Sequence, residues 1–184
     1  MRPFDDHRAR IDGSMLEQLV FDWLGEAGHG LEDFCVERRE LVATPDGRYQ
    51  IDVTARFRLL GLDFLLLVEC KDHIRPVERE DVQVLADRKR ATGAQKALLV
   101  ATNGFQRGAV EYASVHGIAL VRIVEGVFTY ETRSAFQAGR PVPPPWANIQ
   151  PFVGQLIYSE DTAIHVTVVE RGGIKALADY LASV

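Results

Sequence analysis

Gln50-Ile51-Asp52-Val53-Thr54-Ala55-Arg56-Phe57 and Leu62-Asp63-Phe64-Leu65-Leu66-Leu67-Val68-Glu69-Cys70-Lys71 flank a short turn at Leu60-Gly61. Both runs are rich in β-branched and large apolar residues, which suits two strands of a hairpin. The second is almost wholly apolar, as in a strand covered on both faces. Its last three residues break that rule. In a strand Glu69 and Lys71 share one face and Cys70 points the other way. A carboxylate and an ammonium at the end of a buried strand are costly unless paired or bound to a cation. Asp52, on the neighbouring strand, is a third charge in apolar surroundings. A short turn lets Asp52 and Glu69 approach one another. Two adjacent carboxylates repel, and a divalent cation relieves that repulsion.

Upstream of the hairpin, Met15, Leu16, Leu19, Val20, Trp23 and Leu24 recur at helical spacing, so a helix is expected from about Ser14 to Ala27. Ser14 is the expected N-cap, with Glu17 as its capping-box partner. Gly28-His29-Gly30 ends the helix. Phe34 to Val42 reads as a strand whose Glu37, Arg38, Arg39 and Glu40 form an exposed face, and Pro45-Asp46-Gly47 is a turn. Downstream, the pattern gives a helix over about 77–92, a strand over 95–101, a helix over about 106–116 and a strand over 118–123. Helices alternating with buried strands imply parallel crossovers, and the whole is an α/β domain with a mixed sheet flanked by helices. His73 continues the alternation of Glu69 and Lys71 but is read as a solvated residue. Val127 to Glu131 and Ile164 to Val169 are expected strands. Pro141-Val142-Pro143-Pro144-Pro145-Trp146 is a stiff connector. Ile174, Leu177, Ala178 and Leu181 point to a terminal helix. The expected organisation is a flexible N-terminus over 1–12, a core over 13–123 and a C-terminal extension over 124–184 packed on it.

Asp52, sixteen intervening residues, then Glu69-x-Lys71 resembles the catalytic core of the PD-(D/E)xK nucleases. The flanking residues are similar to the Mrr-type branch of restriction-endonuclease-like domains, over roughly residues 13 to 123. Gly13-Ser14-Met15-Leu16-Glu17-Gln18-Leu19-Val20 matches that family's first helix, Ile51-Asp52-Val53 its acidic strand and Glu69-Cys70-Lys71 its E-x-K strand. Pro76-Val77, Asp81-Val82, Gly93-Ala94, Leu98 to Thr102, Gly108-Ala109 and Gly117-Ile118 fit as well.

The resemblance implies a restriction-endonuclease-like core and metal-dependent hydrolysis of DNA phosphodiester bonds. It implies Mg²⁺ as cofactor, with Mn²⁺ able to replace it. Asp52, Glu69 and the main-chain carbonyl of Cys70 would be the ligands, and Lys71 the residue that orients or deprotonates the attacking water. Glu17 has two readings: a capping residue, or a further catalytic acid that reaches the metal or its shell. Arg79, Gln83 and Arg90 project on one side of their helix, as a phosphate-contacting face or as a solvated one. The expected partner is DNA, with a homodimer if both strands are cut. Asp72-His73 depart from the basic or aromatic pair of many relatives. A non-catalytic nucleic-acid- or protein-binding module on the same fold is the alternative. In a third reading Glu69 and Lys71 form a structural ion pair, which leaves Asp52 unexplained.

The 184 residues suit one domain with a substantial core. No apolar run is long enough to span a bilayer, and Met1-Arg2-Pro3-Phe4-Asp5-Asp6 lacks the order of a signal peptide. A cytoplasmic location and two free, buried cysteines, Cys35 and Cys70, are therefore expected. There is no structural-zinc spacing. A net charge of -5 requires any phosphate contacts to come from a local basic patch.

Overall fold

The computed structural model describes residues 9–125, 152–160 and 163–169. Its elements are α1 (Gly13–Ala27), β1 (Glu32–Thr44), β2 (Gly47–Leu59), β3 (Leu62–Lys71), α2 (Arg79–Thr92), β4 (Lys96–Ala101), α3 (Arg107–His116), β5 (Ile118–Glu125), β6 (Phe152–Glu160) and β7 (Ala163–Val169). The seven strands form one sheet in which order across the sheet equals order along the chain. The first three pair antiparallel, β3, β4 and β5 pair parallel, and β6 and β7 complete the sheet antiparallel.

Strict alternation in the central strands supplies two cores. Leu66 and Val68, Leu98 and Val100, and Ala119, Val121 and Ile123 pack on one face with Leu16 and Val20 of α1. Leu67, Ala97, Leu99, Ala101, Ile118 and Leu120 pack on the other with Val82 and Leu85 of α2 and Ala109, Val110 and Ala113 of α3. The almost continuous apolar runs of β3 to β5 follow from this double covering. This is the mixed α/β architecture expected from the sequence.

The hairpin between β2 and β3 closes at Leu59 opposite Leu62. Its two linking residues, Leu60 (φ +53°) and Gly61 (φ +77°), have the paired positive φ that matches strand twist. At the end of α1, a Cβ on Gly28 would stand 2.1 Å from the Phe34 ring, so glycine is required there for space.

Several expectations are corrected. The N-cap of α1 is Asp12, whose side chain accepts the Met15 N–H at 2.8 Å, so Ser14 lies inside the first turn and Glu17 is no capping residue. Within the expected loose end over 1–12, Ala9 and Ile11 are buried in the α1-side core. Cys35 is exposed and Cys70 half-buried, both as free thiols. Strand β6 was not anticipated. The strand over 127–131, the proline run and the terminal helix lie outside the described residues. No described helix is long and apolar enough to cross a membrane.

Candidate active site

The site lies where β2 parts from β3. Their pairing ends at Val53 opposite Val68, while β3 continues beside β4 to Lys71 opposite Ala101. Glu69, Cys70 and Lys71 therefore extend past the last β2 pair.

Asp52 reaches into this notch because both β1 and β2 change facing beside it. Ile51 packs in the α2/α3-side core, yet Val53, two residues on, packs in the α1-side core. A regular strand would place both on one side. The partner strand turns with it. Arg38, opposite Val53, reaches Glu17 of α1, whereas Glu40, opposite Ile51, bonds Thr54 and Arg56. Between them Arg39 has φ +53°, a conformation costly for a residue with a Cβ. Asp52 Oδ2 then accepts the main-chain N–H of Cys70 at 2.7 Å, taking the place of a ladder carbonyl. Burial, then the charges of Glu69 and Glu17, push the Asp52 carboxyl above its ordinary value, against the opposing effect of the Cys70 N–H.

Glu69 and Lys71 share a face, as expected, and Cys70 packs on the opposite one. Glu69 is 8% exposed, and cations meet both its oxygens. Lys71 Nζ lies 3.0 Å from Oε1, and Arg88 Nη1 of α2 donates to Oε2 at 2.5 Å. Asp81 stands 3.9 Å from Lys71 Nζ and also closes the capping box of α2 with Glu78. Burial, then Asp52, Glu17 and Glu69, pushes the Cys70 thiol upward, so it is not a nucleophile at neutral pH.

Glu17 comes from α1 to the same neighbourhood but is held by arginines. Arg38 Nη2 donates to Oε2 at 3.0 Å, and Arg39 Nε donates to the same oxygen at 2.9 Å. Burial would raise this carboxyl, but the hydrogen bonds of Arg39 and Arg38 hold it below its ordinary value. The charged stretch of β1 is thus only partly an outer face: Arg38 and Glu40 are half-buried and paired.

Arg79, Gln83 and Arg90 are all exposed on α2. Arg79 lies over the Tyr112 ring, 5.0 Å from its centre, and Arg90 pairs with Asp87 at 2.5 Å. His73 is exposed. The neighbouring loop is pinned to the segment just after β4: Thr102 donates to Asp72 at 2.8 Å, and the Asn103 amide to the Ile74 carbonyl.

Arg88 escaped sequence reasoning, and Asp81 was matched to the family pattern without a place in the site. The available signal was position: Arg88 follows buried Leu85 by three, so it borders the apolar stripe of α2.

Among the described residues, no three His, Cys, Asp or Glu side chains are grouped to hold a metal ion. Mg²⁺ does not need three, because it keeps several waters and binds through one or two carboxylates. Asp52 and Glu69 supply hard oxygen donors, and the Asp52 carboxyl is disfavoured as an anion by burial and by its acidic neighbours. This donor chemistry fits a hard divalent cation.

The fold and this notch define a restriction-endonuclease-like α/β domain. The chain belongs to the Mrr catalytic-domain restriction endonuclease family, whose model matches residues 8–125. Among solved structures, the chain is similar to a crystal structure described as a protein of unknown function, AF1548, with 24% identity and a TM-score of 0.48 over 59% of this chain and 57% of that one. It is also similar to the MspJI restriction endonuclease in complex with a 27-mer oligonucleotide, with 19% identity and a TM-score of 0.38 over 56% of this chain and 24% of that one. The chain thus spans little more than half the length of the first and a quarter of the second. No curated protein is matched.

Proposed function

We propose that this chain is an endonuclease that hydrolyses DNA phosphodiester bonds with Mg²⁺, which Mn²⁺ can replace. Asp52, Glu69 and the Cys70 main-chain carbonyl hold the ion, which when bound polarises the phosphoryl oxygens and activates a water. Lys71 orients the attacking water and donates to the phosphate as negative charge builds. Glu17 bridges Arg38 and Arg39, and of these two Arg39 interacts electrostatically with Asp52. Glu17 takes three arginine hydrogen bonds on its two oxygens, against two cation contacts at Glu69, so it is the less available of the two acids as a ligand. Arg79, Gln83 and Arg90 give α2 a phosphate-facing side, and a homodimer would supply the second site for a double-strand cut. The observation that carries the reading is the placement of Asp52 on the Cys70 N–H, beside the Glu69-Lys71 pair.

The test is cleavage of supercoiled and linear DNA in MgCl₂ by the Asp52→Ala, Glu69→Ala and Lys71→Ala variants. Each is expected to lose about 100-fold or more in rate. Wild-type rates in all three would remove the mechanism. A non-catalytic nucleic-acid- or protein-binding module is the second reading, favoured by the cations on both oxygens of Glu69. Under it the wild-type chain cuts nothing and shows no Mn²⁺ binding that depends on Asp52.

A further inference from the structure

Arg88 belongs to none of the roles above, yet it makes the shortest contact to the site's most buried acid. It donates to Glu69 Oε2 at 2.5 Å, while Lys71 takes the other oxygen at 3.0 Å. One carboxylate therefore carries two cations, and a divalent ion arriving at Glu69 meets positive charge on both sides. Lys71 is tied to the place, because it sits two residues along the same strand and shares its face. Arg88 is not tied. It reaches in from α2 on a long side chain that is 26% exposed, so it has a route to solvent.

We propose that Arg88 competes with a divalent ion for Glu69 and is displaced when that ion binds, so that it limits metal affinity. This rests on the metal-centred reading of Asp52 and Glu69. Three physical points support it. A buried carboxylate needs a counter-charge. A guanidinium supplies that charge through charge-assisted hydrogen bonds. A ligand that must displace a resident partner binds more weakly by the free energy of that contact. Arg88 is thus a positioning residue, acting on the reaction through the acid it holds.

The experiment is calorimetric titration of the full chain with MnCl₂, without nucleic acid, for wild type, Arg88→Met, Arg88→Lys and Asp52→Asn. Removing one charge-assisted hydrogen bond to Glu69 is expected to tighten Mn²⁺ binding about tenfold in Arg88→Met. Arg88→Lys keeps the charge and is expected to tighten binding less. A merely structural Arg88 would give the opposite sign, since loosening α2 weakens any site beside it. Equal or weaker binding in Arg88→Met, with Asp52-dependent binding intact in wild type, overturns the exchange and leaves the metal site standing. Absence of Asp52-dependent binding in wild type and Arg88→Met alike overturns both. If circular dichroism shows Arg88→Met unfolded, Arg88→Lys decides: tighter binding than wild type supports the exchange, and equal or weaker binding overturns it.

Discussion

Asp52 Oδ2 accepts the main-chain N–H of Cys70 at 2.7 Å across the gap where β2 leaves β3. The acid thus replaces a backbone acceptor, but it remains a carboxylate crowded by Glu69 and Glu17. Asn keeps the acceptor oxygen and removes the charge. Asp52→Asn is expected to melt at a higher temperature than wild type at pH 7, while losing cleavage. The sign follows from the raised folded value. The ionised acid is disfavoured in the fold, so its cost is full above that value. The cost shrinks as pH falls and is gone only below the ordinary 3.8, where folded and unfolded chains are both protonated. Melting curves from pH 7 down to about 3.5 should therefore converge. A constant gap across that range would show that charge is not the cause.

Glu17 has the reverse balance. Its carboxyl is held below the ordinary 4.5 by Arg39 and Arg38. Its stabilising contribution is therefore full above that value and lost as pH falls through the lower folded one. Glu17→Gln is expected to cost about 1–2 kcal/mol at neutral pH, because two guanidiniums lose a charged acceptor. Part of that loss should be recovered in salt, since Arg39 is largely exposed. Urea unfolding at two ionic strengths checks both statements.

The turn offers a stabilising change that touches no functional group. Leu60 is 93% exposed and has φ +53°, while Gly61 beside it suits the turn. Leu60→Asn should stabilise the chain by about 1 kcal/mol, because Asn tolerates the left-handed conformation that Leu resists. A melting temperature unchanged or lowered would count against this account of the turn.

A chain ending at Glu125 removes β6 from the edge of β5. Leu156 and Val153, 2% and 5% exposed, go with it, and the ring of Trp23 loses its floor at Gly154. The loss from the two aliphatic side chains alone is about 3–6 kcal/mol. Such a chain should be largely unfolded at 37 °C by circular dichroism. A cooperative melt like that of the full chain would show that residues 8–125 hold the fold unaided.

The central hairpin, the buried runs of β4 and β5 and the shared face of Glu69 and Lys71 were legible because each rests on period. The two-residue period of β3 and the double covering of the sheet leave little choice for those residues. Strand β6 was not legible because Gly154 interrupts it. Glycine weakens a strand pattern, and it is present because Val121 and Trp23 leave a Cβ just 3.1–3.2 Å. The braces of Arg38 and Glu40 were also hidden. Alternation alone puts both on one side, and nothing in the letters Glu-Arg-Arg-Glu announces a positive φ at Arg39. Arg88 was overlooked because a charge on an amphipathic helix resembles its solvated side until the opposing strand is in view.

Because strand order follows chain order, no strand must wait for a later one to be inserted beside it. Each strand pairs with the one before it in the chain, with α2 and α3 as the detours between β3, β4 and β5. The antiparallel pairs β1–β2, β2–β3 and β6–β7 close over short turns, whereas the two parallel crossovers close more slowly. Asp52, Glu69, Lys71 and Arg88 all precede β4 in the chain, so the acids and their cations belong to one continuous segment, while the stability that holds them in place depends on the strands that follow.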